Sequence, residues 1–173
     1  MKNLEAYVLL FVALIFFIPA FILPFIQPSG TLLSLDGSIN VMDHSDIWVG
    51  LDAISSFYYS LGDMICHQEQ SRSFVLNDNQ MYVCMRDISI LGGFMLGLVT
   101  TMVKSIPINQ FSRTDKVILI LLFFSTPLEW VIEKLTDVDL PVSRCATAVV
   151  TGAITAIVLI YLIRRTKNNE SDE

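Results

Sequence analysis

Cysteine, histidine and basic residues are all scarce in this chain of 173 residues, with three Cys, two His and 11 Lys and Arg together. Three cysteines are too few for a disulfide-dense scaffold. The basic residues are outnumbered by 17 Asp and Glu, and the net charge is −6. That balance excludes nucleic acid, whose phosphates need a basic surface. It also excludes a general polybasic attraction to anionic lipid. No internal repeat or low-complexity tract is present. What the chain has in excess is apolar surface: 53% of its residues are hydrophobic and its mean hydropathy is +0.60. This points to an integral membrane protein.

Four segments qualify as helical spans, since a crossing takes about 20 apolar residues at about 1.5 Å each. They run from Tyr7 to Ile26, Ile88 to Val103, Val117 to Ile132 and Ala146 to Ile163. The second and third are short and borrow flanking residues. The first follows Lys2 and could be read as a leader. Its length and its lack of a small-x-small cleavage site favour a retained span.

Basic residues set orientation. Lys2 precedes the first span, Lys104, Arg113 and Lys116 lie in the link between spans two and three, and Arg164, Arg165 and Lys167 follow the fourth. Four spans bring these groups to one side, the cytoplasm, together with both termini. Gln27 to Asp87 and Thr136 to Ser143 then lie outside. The acidic tail, Glu170 to Glu173, is expected to be unstructured.

The outer segment carries its own order. Leu33-Ser34-Leu35, Asp36-Gly37 and Ile39-Asn40-Val41 predict a small hairpin. Asp46 is the expected N-cap of the helix that follows. Ile47, Leu51, Ile54, Tyr58, Leu61 and Ile65 make one helical stripe, at the outer interface or tucked into the bundle. Span two has Ser89, Gly93, Gly97 and Thr101 at every fourth position, and span four has Arg144, Ala148, Gly152 and Ala156. Such stripes let helix backbones approach closely in lipid. Pro127 removes a backbone donor from span three and predicts a kink there.

The expected fold is an all-α membrane protein: four transmembrane helices, an outer interfacial helix and a small hairpin-containing extracytoplasmic cap. It forms one domain over 1–173. Within it, 1–45 hold the first span and hairpin, 46–87 the outer helix and cap, 88–163 a three-span bundle and 164–173 the tail.

The chemistry concentrates in one polar block: Cys66-His67-Gln68, Arg72-Ser73-Phe74 and Cys84-Met85-Arg86-Asp87. Three readings stand. In the first, Cys66, His67 and Cys84 hold a metal such as zinc, with Asp87 or Glu129 completing the set. Glu129 would then be the general base on metal-bound water. Arg72, Arg86 or Arg144 would bind an anionic head group, making a membrane-embedded hydrolase acting on lipid. In the second, Cys66 and Cys84 form a disulfide worth roughly 3 kcal/mol in the chain-entropy model. The hairpin turn Asn77-Asp78-Asn79 would bring them together. In the third the block has no chemistry and is a rigid cap on a membrane scaffold or interaction protein. Glu129 and Glu133 share a face of span three, and Glu129 lies at a depth where a carboxylate needs a partner, a proton or a wet cavity. No polar relay across the membrane is visible, so transport is the weakest option. Membrane lipid is the expected partner, homo-oligomerisation is open, and no particular protein partner is indicated.

The same residues carry a resemblance. Cys66, His67, Gln68, Arg72, Ser73, Phe74, Cys84, Arg86, Asp87 and Gly93 match, in order, the pattern of the domain of unknown function 2085 family of small membrane proteins. Arg144 through Gly152 is similar to a stretch near that family's C-terminal end. Pro127-Leu128-Glu129 resembles its acidic position after a proline, where the family more often has Asp. Ser89 stands where Gly is expected. The resemblance covers roughly residues 60 to 157 and omits the first span, the hairpin region and most of the outer helix. It implies a membrane protein in which the Cys-His block is a shared feature, and it implies no activity.

Overall fold

The computed structural model describes residues 3–104, 112–136 and 138–171. Lys2 and the last two acidic residues lie outside them. The fold is mostly helical, with one two-stranded sheet. Helix α1 is Leu4–Ile26, α2 is Ser45–Val49 and α3 is Ala53–Ile65. A 3-10 turn at Gln70–Arg72 leads to strands β1 (Val75–Leu76) and β2 (Asn79–Gln80). Then come α4 (Met85–Val103), α5 (Arg113–Phe123), α6 (Ser125–Thr136) and α7 (Pro141–Ser171). Three helices are long and apolar enough to cross a membrane: Leu4–Ile26, Met85–Val103 and Pro141–Lys167. The tail expected to be unstructured is helical as far as Ser171.

The third expected span is broken. Pro127 has no N–H for the Phe123 carbonyl four residues back, and its ring crowds that carbonyl. The helix is interrupted at Phe124, between α5 and α6. Thr151 of α7 fills the gap, its Oγ1 donating to Phe123 O at 3.1 Å. Thr151→Val should therefore destabilise the protein by about 1 kcal/mol. The same change should cost less in a Pro127→Ala background, where residue 127 regains its own donor. A double-mutant cycle by thermal unfolding checks this, and equal costs in both backgrounds would refute it.

Two compact units make up the chain: Met1–Leu14 with Ser89–Glu173, and Ile15–Ile88. In the first, α4 and α7 pack through the small residues that the sequence predicts. A Cβ on Gly93 would press into the Val149 carbonyl, and one on Gly152 into the Ile90 carbonyl. A Cβ on Gly97 would meet Ala156 Cβ at 2.8 Å. Ala6, Leu98, Ala156 and Ile160 form the buried cluster of this unit. Asn3 Nδ2 donates to Met102 O at 3.3 Å, and Arg164 pairs with Glu5 at 2.9 Å and with Asn3 Oδ1 at 2.8 Å. The start of α1 thus lies beside the ends of both α4 and α7.

The second unit corrects three local expectations. Residues 33–41 form no strands. Their donors are taken by other segments: Ser34 N by Gln70 Oε1, Gly37 N by His67 O and Asn40 N by Met64 O. The hairpin lies instead at β1–β2, where Val75 pairs with Gln80 and Leu76 with Asn79. Its turn residues Asn77 and Asp78 have φ of 53° and 54°, as a type I′ turn requires. The single outer helix is two helices, α2 and α3. The N-cap of α3 is Asp52, whose Oδ1 accepts from the Ile54 and Ser55 amides at 3.1 Å. Asp46 sits within α2, whose N-cap position is His44.

Candidate metal centre

The C-terminal end of α3 delivers Cys66, and the start of α4 delivers Cys84 and Asp87. Their ligand atoms all lie within 4.8 Å of one another. Cys84 Sγ is 3.1 Å from Asp87 Oδ2. Cys66 is buried, and the other two are half-buried. Gly62 makes this meeting possible. A side chain there would collide with the Tyr82 carbonyl and, at 2.6 Å, with Gln68 Nε2.

The Gln68 main chain lowers the pKa of Cys66, and the Asp87 main chain lowers that of Cys84. An N–H pointed at sulfur favours the thiolate, the form that binds metal. The hydrogen bond between the two thiols raises the Cys66 pKa, reinforced by burial and by the charges of Cys84 and Asp87. The same bond lowers that of Cys84. If both thiols lost their protons, three negative groups would crowd together out of water. Either protons or a cation must lie among them.

His67 does not join this group among the described residues. Cys66 has extended backbone (φ −135°, ψ 146°), which sends neighbouring side chains to opposite sides. His67 Nδ1 lies 2.9 Å from the Gly37 carbonyl. A carbonyl only accepts, so Nδ1 carries the proton. Cys66, Cys84 and Cys145 are all free thiols.

The expected anion-binding arginines are partly engaged elsewhere. Arg72 pairs with Glu69 at 3.3 Å. Arg144, 1% exposed, bonds Glu133 at 2.6 Å and also Asp139. Arg86 is half-buried in the first turn of α4. Glu129, the expected general base, is buried on α6 in the other compact unit. Its Oε1 accepts from Ser143 Oγ at 3.5 Å.

A family model described as a predicted membrane protein (DUF2085) matches residues 66–162, more than half of the chain. The chain belongs to this family. Comparison with curated proteins and with solved structures returns no significant match. The DUF2085 match begins at Cys66 and takes in all three converging donors, whereas α1 to α3 precede it.

The sequence reading missed the groups that hold the donors in place. Gln68, Asn79 and Gln80 are fully buried. Gln68 Nε2 donates to Tyr82 O at 2.7 Å, and Gln80 Nε2 donates to Gln68 O. The available signal was Gln68 two residues after Cys66 and the pair Asn79-Gln80 a few residues before Cys84. The main-chain effects on the two sulfurs leave no mark on residue type.

Proposed function

We propose that this DUF2085 protein is a metal-binding membrane protein in which Cys66, Cys84 and Asp87 hold a divalent ion of the zinc type. The carrying observation is the meeting of two sulfurs and a carboxylate within 4.8 Å. Zinc takes sulfur at about 2.3 Å and oxygen at about 2.1 Å. Around one tetrahedral ion that implies about 3.8 Å between the sulfurs and about 3.6 Å from sulfur to oxygen. The 3.1 Å between Cys84 Sγ and Asp87 Oδ2 needs only a small adjustment. Three protein donors leave a fourth position for water, the arrangement of catalytic zinc. At a membrane, such water suits hydrolysis of a lipid or its head group.

In this reading the protein crosses the bilayer four times, with the site on the extracytoplasmic side. The ends of α4 and α7 both lie beside the start of α1, through Met102–Asn3 and Arg164–Glu5. Both helices therefore run opposite to α1. The chain leaving α4 must return across the bilayer before α7 begins, and α5 with α6 is what it has for that purpose. Lys104, Arg113, Lys116, Arg164, Arg165 and Lys167 then share the cytoplasmic side.

Metal content and free thiols measured on one purified sample test the reading. The expected result is one zinc per chain with three thiols available after chelation. Cys66→Ser and Cys84→Ser should lose the metal. Asp87→Ala should weaken binding by at least about tenfold, while His67→Ala should retain it. Acidification should release the ion as the donors take up protons. No stoichiometric metal, with Cys145 as the single free thiol, would overturn the proposal in favour of a Cys66–Cys84 disulfide on a non-catalytic scaffold.

A further inference from the structure

Helix α3 has its polarity turned inside out. Its buried positions are Ser55, Tyr59, Gly62 and Asp63. Its exposed positions include Ile54 at 64%, Phe57 at 59% and Ile65 at 55%, with Met64 beside them. The one charged residue within it, Asp63, is 1% exposed and accepts from Trp48 Nε1 at 2.8 Å and His44 N at 3.0 Å. A helix bathed in water would present the opposite arrangement.

A hydrogen bond from α3 to the middle of α1 sets its depth. Pro19 of α1 has no N–H for the Ile15 carbonyl, and the Tyr58 hydroxyl donates to that carbonyl at 2.8 Å. Tyr82 donates to the next carbonyl, that of Phe16. Ile15 lies eleven residues before the end of α1 at Ile26, roughly 16 Å along the helix. The Tyr58 side chain of α3 therefore reaches the middle of the first span. One turn earlier on α3, Ser55 Oγ accepts from Gln27 Nε2 at 2.8 Å, just past the end of α1. Helix α3 thus lies beside the C-terminal half of α1, not above it. That half of α1 is itself apolar and exposed, at Ile18, Phe21, Ile22 and Phe25.

We infer that α3 is a membrane-embedded, non-spanning helix whose outward face contacts lipid acyl chains. Its thirteen residues make about 20 Å of helix, too short to cross. An apolar face held beside the C-terminal half of a span fits acyl chains, whereas the same face in water would be a large sticky patch. The buried polar groups then find polar partners within their own unit: Gln27 and Asp52 near Ser55, Gln80 O from the Tyr59 hydroxyl at 2.7 Å, and Trp48 at Asp63. This inference does not depend on metal at the cysteines.

Tryptophan fluorescence of the full chain in phosphatidylcholine vesicles tests it. Phe57→Trp and Ile54→Trp each place a reporter on the outward face. Phe21→Trp on α1 is the lipid reference and Asp36→Trp on the loop is the aqueous one. Emission of the unsubstituted protein is subtracted to remove Trp48 and Trp130. Lipid brominated in mid-chain should quench both α3 reporters as strongly as Phe21→Trp, and iodide should leave them unchanged. Quenching by iodide but not by brominated lipid would put α3 in water. Protection from both would mean a protein partner or a second copy covers the face. Either result overturns the inference, and neither bears on metal content.

Discussion

Asn79→Leu should unfold the segment around β1–β2 and cost the protein about 4 kcal/mol or more. Asn79 is 0% exposed, yet its side chain ties two stretches of main chain together. Its Nδ2 reaches the carbonyls of Pro24 at 2.9 Å, Gln27 at 3.3 Å and Pro28 at 2.9 Å. Its Oδ1 accepts from the Thr31 and Leu32 amides, both at 2.9 Å. The last carbonyls of a helix have no partner within it, and α1 ends next to this side chain. Leucine fills a similar volume but leaves those groups buried without partners, at about 1–3 kcal/mol each. Asn79→Asp keeps the acceptor for Thr31 and Leu32 but turns a second oxygen toward three carbonyls, so it should also destabilise. Thermal unfolding in detergent, followed through Trp48, measures both. A leucine variant within about 1 kcal/mol of the parent would show that water or rearrangement replaces these bonds.

Gly93→Leu should separate α4 from α7. At Gly93 the main chain of one helix touches that of the other, because the Val149 carbonyl occupies the space a Cβ would need. The atom in the way belongs to a helix backbone and cannot swing aside as a flexible side chain could. A cost of about 3 kcal/mol is expected, at the upper end for overpacking. Gly93→Ala should cost less but in the same direction. Val99→Leu, at a 45% exposed position on α4, should be neutral. Resistance to thermal unfolding in detergent separates the three, and a Gly93→Leu protein as stable as Val99→Leu would refute the packing argument. No polar driving force is needed at this contact, because in lipid close approach of small residues supplies the dispersion energy that holds helices together.

Much of the helical framework was readable because it depends on local pattern. Long apolar runs place α1 and α4 within three residues of their bounds and find the apolar middle of α7, which extends five residues earlier and eight later than expected. The four-residue spacing of Gly93 and Gly97, and of Ala148, Gly152 and Ala156, identifies the faces that meet. Pro127 announces the break between α5 and α6. The outer segment was less readable because distant groups compete for the same donors. Asp36-Gly37 is a good turn signal, but Gly37 spends its N–H on His67 O and its carbonyl on His67 Nδ1. The weaker signal at Asn77-Asp78 became the hairpin, because Asn79 on its far side anchors it to α1. Likewise the stripe through Ile54, Tyr58, Leu61 and Ile65 identifies a helix but not the environment of its apolar face.

By itself, then, the sequence determined that this is a helical membrane protein, where its long helices run, and that its reactive groups cluster between the first helix and α4. Run length, residue size and proline content act over one helical turn and need no partner. Only the tertiary structure decided which donors converge. Adjacent Cys66 and His67 looked like a pair, but extended backbone sends them to opposite sides, and Asp87 comes round the first turn of α4 to stand beside Cys84. It also decided that α3 turns its apolar face outward and its polar face toward Trp48 and Gln80, with the Tyr58 hydroxyl meeting a carbonyl that Pro19 leaves open in the middle of α1.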